Sequence, residues 1–143
     1  MKQYDYLMSA CLCGVPCRYD GSAKTHTSCK ALYEQGRVLL ICPEVMGGLA
    51  IPRLSCEIQS GCVYTKEGED VSQAFLAGAK QAAKMAQIFG IQKAILKENS
   101  PSCGVHMIYD GSFSRTKVTG SGVCAALLKE AGLEVLSEEE LSL

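Results

Sequence analysis

Arg37-Val-Leu-Leu-Ile-Cys42 is the stretch whose reading decides the fold. It has the length of a strand, is apolar at consecutive positions from Val38 to Ile41, and is stopped by Pro43. Such a run is buried on both faces, as strands of a parallel sheet are when helices cover each side.

Working outward, Tyr6-Leu-Met-Ser9 and Ile91 to Leu96 read as two more strands, and Leu133-Glu-Val-Leu136 as a closing one. Helical patterns separate them. Ser28 caps a helix running to Gln35, with Cys29, Leu32 and Tyr33 on one face and Gly36 as its end. Asp70 is the expected N-cap of the clearest helix, Val71 to Phe89, with Gly90 as its stop. Val71, Phe75, Ala79, Ala82, Ala86 and Phe89 recur there at helical spacing. Gly122 to Ala131 is the last main helix, and Ser137 with Glu140 has the form of a capping box. Met107-Ile-Tyr109 reads as a short edge strand closed by an Asp110-Gly111 turn. The stretches Cys13 to Thr27 and Cys42 to about Glu69 read as loops, rich in Gly and Pro.

This alternation predicts an α/β fold: a small parallel β-sheet with helices on both faces, a Rossmann-like three-layer arrangement, in one domain spanning 1–143. In such sheets ligands bind outside the carboxyl ends of the strands.

Composition narrows the function. The chain has 143 residues, 48% hydrophobic and 20% charged, with a formal net charge of −1. These values exclude extended disorder and disfavour a basic nucleic-acid-binding surface, so intact nucleic acid is not the expected partner. No apolar run approaches the ~20 residues of a membrane span. The start Met1-Lys-Gln-Tyr-Asp-Tyr-Leu-Met-Ser9 lacks a signal-peptide pattern. The expectation is a cytoplasmic protein, monomer or homodimer.

Nine cysteines are the unusual feature. In a reducing compartment they are not a disulfide framework, so they divide into metal ligands, reactive thiols and small core residues. Cys11 follows the first strand, Cys42 ends the second, and Cys103 lies in the loop after the third. A parallel sheet brings all three to one edge, and Cys17 in the same loop as Cys11 can reach it too. Thiolates select zinc, copper(I) or iron–sulfur clusters; small cysteines also suit tight loop turns. No C-x-x-C pair is present, so the spacing is not that of a zinc finger. Dispersed single cysteines suit a cluster built by the fold.

Near these thiols, Glu44 lies in Cys42-Pro43-Glu44 and is a candidate general base or a solvated loop carboxylate. Ser100 and Ser102 flank Pro101; Arg18, Arg53 and Glu57 are candidates to grip a polar substrate. Gly120-Ser-Gly122 before a helix either presents N–H groups to an anion or makes a tight turn. His26 and His106 are read as structural. Cys13, Cys29, Cys56, Cys62 and Cys124 are read as non-ligands, with Cys29 and Cys124 on inward helix faces and the other three in loops.

Ser9-Ala-Cys-Leu-Cys-Gly-Val-Pro-Cys-Arg-Tyr-Asp-Gly21, Cys42-Pro-Glu-Val-Met-Gly-Gly-Leu49 with Pro52-Arg53, and Gly68-Glu-Asp-Val71 share a further property with Ile95-Leu-Lys-Glu-Asn-Ser-Pro-Ser-Cys-Gly104 and Gly120-Ser-Gly-Val-Cys-Ala-Ala-Leu-Leu128. Together, in this order, they resemble a bacterial family long classed as a domain of unknown function, which contains a thiouracil desulfidase. The resemblance implies an oxygen-sensitive 4Fe-4S cluster held by three cysteines, leaving one iron open. It implies that the sulfur of 2- or 4-thiouracil, a small-molecule thio-base, binds that iron, and that water then gives uracil and sulfide without net redox change. Carried onto this chain, Cys42 and Cys103 are matched ligands and Cys11 the third, with Cys17 the alternative in the same motif. Glu44 becomes the acid/base group and Ser100 an orienting group for substrate or water. The chain departs from the family pattern at Leu54-Ser-Cys56 and at Cys13. A non-catalytic cluster, metal or sulfur carrier and a structural zinc protein are the other readings of the same thiols.

Overall fold

β1 (Tyr6–Ser9), β2 (Val38–Ile41), β5 (Lys93–Leu96) and β8 (Glu134–Ser137) form a four-stranded sheet in the order β2-β1-β5-β8. Every pairing in it is parallel. The computed structural model describes residues 3–141; the single-domain reading of 1–143 also takes in Met1, Lys2, Ser142 and Leu143, which lie outside the described residues.

The sheet is covered on both sides because its central strands are apolar on both. Successive side chains alternate between faces. Leu7, Ala94 and Leu96 pack against α3 (Ser72–Phe89) and α4 (Val123–Glu130). Met8 and Ile95 turn the other way and pack with Cys29 and Leu32 of α1 (Thr27–Glu34). Leu7, Met8, Ala94, Ile95 and Leu96 are all fully buried. The three-layer α/β architecture is as the strand pattern implied.

α3 buries Phe75, Gly78, Ala79, Ala82 and Ala86, a stripe of mostly small residues that lets its neighbours approach closely. Its C-terminus is closed by Gly90 in the left-handed conformation, φ +65°. Against its first half lies α2 (Pro43–Met46), a one-turn helix. Gly78 and Gly47 meet at this crossing: a Cβ on Gly78 would stand 1.7 Å from the Pro43 carbonyl oxygen. This contact places the start of α2, and with it Cys42 and Glu44.

Several local expectations change. The stretch from Cys42 to Glu69 is not all loop. It contains α2 and an antiparallel hairpin, β3 (Cys56–Gln59) and β4 (Cys62–Thr65), turned by Ser60 and Gly61 with positive φ. Pro43 both ends β2 and opens α2, because proline suits the first position of a helix. A second hairpin pairs β6 (Met107–Tyr109) with β7 (Lys117–Thr119). β7 is exposed throughout, so no apolar alternation announces it.

The expected caps also move. α1 begins at Thr27, and His26 rather than Ser28 is its cap, accepting the Cys29 N–H at Nδ1. α3 begins at Ser72 with Val71 at the cap position, because Asp70 and Val71 are still paired with β4. Asp70 accepts the Ser72 N–H at 2.9 Å from one residue further back. The closing strand leads into a short 3-10 turn, Glu138–Glu140, with the capping box between Ser137 and Glu140 present.

Candidate functional site

Three loops converge where the strands end. The chain leaves β1 in a 3-10 turn, Ala10–Cys13, that buries Cys11, and Gly14 in the left-handed conformation turns it toward Cys17. Cys42 sits at the N-cap of α2. Cys103 is buried in the loop that follows β5. Cys11, Cys17, Cys42, Cys103, Glu44 and Ser100 all line one cavity of about 690 Å³, within the size range of small-molecule sites. The topology therefore brings the candidate ligand cysteines together with Glu44 and Ser100.

The Cys103 loop is built by its own serine and by α4. Ser100 Oγ accepts the N–H groups of Ser102 at 3.1 Å and Cys103 at 3.0 Å. The carbonyls of Pro101, Ser102 and Gly104 accept N–H groups of Gly122, Val123, Cys124 and Ala125 at the start of α4. Those donors are thus spent on the loop, and Gly120-Ser-Gly122 is not an anion site. Gly122 is required by the approach itself: a Cβ there would stand 2.5 Å from the Ser102 carbonyl carbon.

Glu44 is held by two partners. Its Oε1 pairs with Arg53 Nε at 3.0 Å, and its Oε2 accepts the Ser102 hydroxyl at 2.8 Å. The side chains of Arg53 and Glu44 are only 9% and 13% exposed, so this is a sheltered ion pair and not a solvated loop charge. Arg53 also donates to the Cys17 and Ala50 carbonyls. Ser100 and Ser102 hydroxyls lie 2.9 Å apart. Since Ser102 gives its proton to Glu44, the Ser100 hydroxyl donates to Ser102, and a chain runs Ser100–Ser102–Glu44.

The thiols differ in character. The neighbouring Cys17 thiol draws Cys42 below the ordinary thiol value, against burial and with help from the Val45 N–H at the start of α2, and Cys42 Sγ lies 3.7 Å from the Cys17 carbonyl oxygen. Cys17 is raised by the Cys42 thiol beside it and by burial. Burial pushes Cys11 up to about 11, against the opposing charge of Lys97. Burial likewise raises Cys103, with the neighbouring Cys124 thiol adding to it and a hydrogen bond from Ser9 opposing it. Lys97 is fixed by Glu138 at 3.2 Å and the Glu98 carbonyl at 2.9 Å.

Among the described residues, no three His, Cys, Asp or Glu side chains stand close enough to hold a single metal ion. The soft thiol donors are instead spread around a cavity, and in chemistry and dispersal they fit a polynuclear iron–sulfur cluster.

The remaining sequence candidates divide between the cavity wall and the rest of the fold. Glu57 lines the cavity, but its carboxylate accepts the N–H groups of Gly111 and Phe113 and so holds that loop. Arg18 bonds Ser22. Cys56 and Cys62 lie on the β3–β4 hairpin and not in loops, and Cys56 is a further buried thiol on the cavity wall. Cys13 contacts Met8 Sδ, and Cys29 and Cys124 are fully buried in the core. His106 pairs with Glu140. Sequence reading missed the parts played by Ser102, Arg53 and Lys97, because each depends on a partner distant in the chain.

The chain is similar to known proteins over nearly its whole length. The chain is 42% identical over 146 residues to YbbK of Bacillus subtilis (strain 168), an uncharacterized protein, covering 95% of this chain and 97% of that one. It superposes with a TM-score of 0.92 on the solved structure of the [4Fe-4S]-dependent thiouracil desulfidase TudS, at 44% identity, covering 98% of this chain and 93% of that one. The family model described as 2-thiouracil desulfurase matches residues 6–140, the whole of the sheet and all the cavity-lining loops, and the chain belongs to that family.

Proposed function

We propose that this protein removes sulfur from 2- or 4-thiouracil, giving uracil and sulfide, at a 4Fe-4S cluster held by Cys11, Cys42 and Cys103. The observation that carries the reading is the meeting of those three thiols with the Glu44 carboxylate on one cavity. A cluster with an open iron supplies a Lewis acid that polarises the thiocarbonyl and stabilises sulfide as leaving group.

The protein's own groups do the rest. Glu44 takes a proton from the water that attacks the ring carbon and returns it to the departing sulfur; the second proton leaves the new hydroxyl as the carbonyl forms and joins the sulfide, so that thiouracil and water become uracil and hydrogen sulfide with no electron supplied or removed. Arg53 and Ser102 fix the carboxylate in one orientation. Ser100 extends that hydrogen-bond chain and shapes the Cys103 loop. Nine free thiols accord with a reducing cytoplasm, and among the described residues no helix is long and apolar enough to cross a membrane.

The test is iron and acid-labile sulfide per chain in protein prepared without oxygen, followed by turnover of 2- and 4-thiouracil. About four of each per chain, the content of one cube, with uracil formed, is the expected result. Fully folded protein with negligible iron after reconstitution would overturn it.

A further inference from the structure

Outside glycine, four described residues have a left-handed backbone: Ser60, Asn99, Phe113 and Arg115. Ser60 is in a hairpin turn; the other three line the cavity. Such conformations cost free energy and cluster where a site constrains the chain. Phe113 is a bulky residue at φ +57°, and Asn99 stands at φ +71° immediately before Ser100.

The polar groups around Asn99 are already engaged. The Glu98 carboxylate receives N–H groups from Val105, His106 and Met107. Ser100, Ser102 and Glu44 are bonded to one another. Glu57 holds the Gly111–Phe113 backbone. Asn99 uses its backbone N–H toward Glu98 and its backbone in a bridge to Ile108. Among the described residues its side-chain amide has no hydrogen-bond partner and no buried side-chain polar atom is left unsatisfied, so this amide opens onto the cavity or solvent.

We propose that Asn99 is the specificity-determining residue for the pyrimidine ring, its amide reading the N3–H and the neighbouring carbonyl, with Phe113 covering the ring face. The proposal rests on the desulfidase reading. An amide offers one acceptor and one donor side by side. In 2-thiouracil, N3–H stands between the thiocarbonyl and the C4 carbonyl; in 4-thiouracil, between the thiocarbonyl and the C2 carbonyl. Asn99 Oδ1 accepting N3–H and Nδ2 donating to the remaining oxygen therefore suits both isomers, and leaves the sulfur pointing away from the amide. Phe113 supplies an aromatic surface for the ring.

Asparagine is also the non-glycine residue that best tolerates a left-handed backbone, and the test separates the two roles. Cluster-loaded wild type, Asn99→Gly and Asn99→Asp are compared at matched iron content and thermal stability. Asn99→Gly keeps the backbone free to adopt its conformation and removes the amide; its KM for 2-thiouracil is expected to rise at least about tenfold with kcat little changed. Asn99→Asp retains the shape and replaces the donor by an acceptor. Its kcat/KM for 2-thiouracil is expected to fall at least about tenfold, because no donor then faces the C4 carbonyl oxygen. Uracil binding measured by calorimetry should weaken in both variants. Wild-type KM and uracil affinity in both variants would overturn the proposal. Failure of iron-replete wild type to turn over 2-thiouracil overturns the desulfidase reading instead, and uracil titration then decides the Asn99 assignment by the same criterion.

Discussion

Ser102 donates its hydroxyl to Glu44 at 2.8 Å, joining two motif loops whose residues lie 58 positions apart in the chain. The bond ties the candidate base on α2 to the loop that carries Cys103. It also makes Ser102, and not Ser100, the serine in direct contact with the carboxylate.

Ser102→Ala should therefore retain iron and lose rate. Without that donor Glu44 keeps only Arg53, and its second oxygen is free to turn. Turnover is expected to fall about tenfold or more, while Glu44→Gln loses about a hundredfold or more, as removal of a general base does. Steady-state uracil formation at matched iron content checks both. An unchanged rate in Glu44→Gln would remove the carboxylate from the mechanism.

The ligand set is tested by iron content. Cys11→Ala, Cys42→Ala and Cys103→Ala should each lose the cluster, seen as loss of iron and of the brown absorbance. Cys56→Ala should keep it although Cys56 lines the same cavity. Cys17→Ala should keep it as well, because Cys11, Cys42 and Cys103 are the proposed ligands. Iron lost in Cys17→Ala and retained in Cys11→Ala would exchange their roles.

Gly78→Ala tests how α2 is placed. The added methyl would stand 1.7 Å from the Pro43 carbonyl oxygen, which is backbone and cannot swing aside. Overpacking of this kind costs about 2 kcal/mol, a Tm drop of roughly 6–10 °C for a domain of this size. Since Cys42 and Glu44 move with α2, iron retention should fall with stability. A variant of wild-type Tm and iron content would show that α2 does not depend on this contact.

Glu98 makes stability depend on pH. It is 3% exposed, and burial alone would raise its pKa; N–H groups from His106, Met107, Val105 and Asn99 outweigh burial and hold it below its ordinary value of 4.5. A depressed carboxylate stabilises the fold fully above the unfolded-state value, and that stability disappears as pH falls through the folded-state value. Thermal melts should show a steep loss below pH 4.5 in wild type. Glu98→Gln should be less stable than wild type by about 1–3 kcal/mol at pH 7, with a shallower acid limb. Parallel acid limbs would assign the pH dependence to other carboxylates.

Local pattern was enough for the frame. Consecutive apolar residues in Val38–Ile41, and the burial of both faces they require, imply a covered parallel sheet. Once the sheet is parallel, Cys11, Cys42 and Cys103 must share an edge, because each follows a strand. Gly90 and the stripe Phe75, Ala79, Ala82, Ala86 likewise mark their helix without any tertiary information.

What tertiary structure alone decided concerns partners. Whether the N–H groups near Gly122 face an anion or the carbonyls of Pro101 to Gly104 depends on where α4 docks. Whether Arg53 grips a substrate or Glu44, and whether Glu57 faces a ligand or the Gly111–Phe113 backbone, depends on loops folded from distant segments. The β3–β4 hairpin and exposed β7 carry little periodicity, and their pairing comes from register with a neighbour. Residue type and spacing fix which chemistry a chain can hold. Long-range packing and hydrogen bonding then determine which of those groups remain free to act.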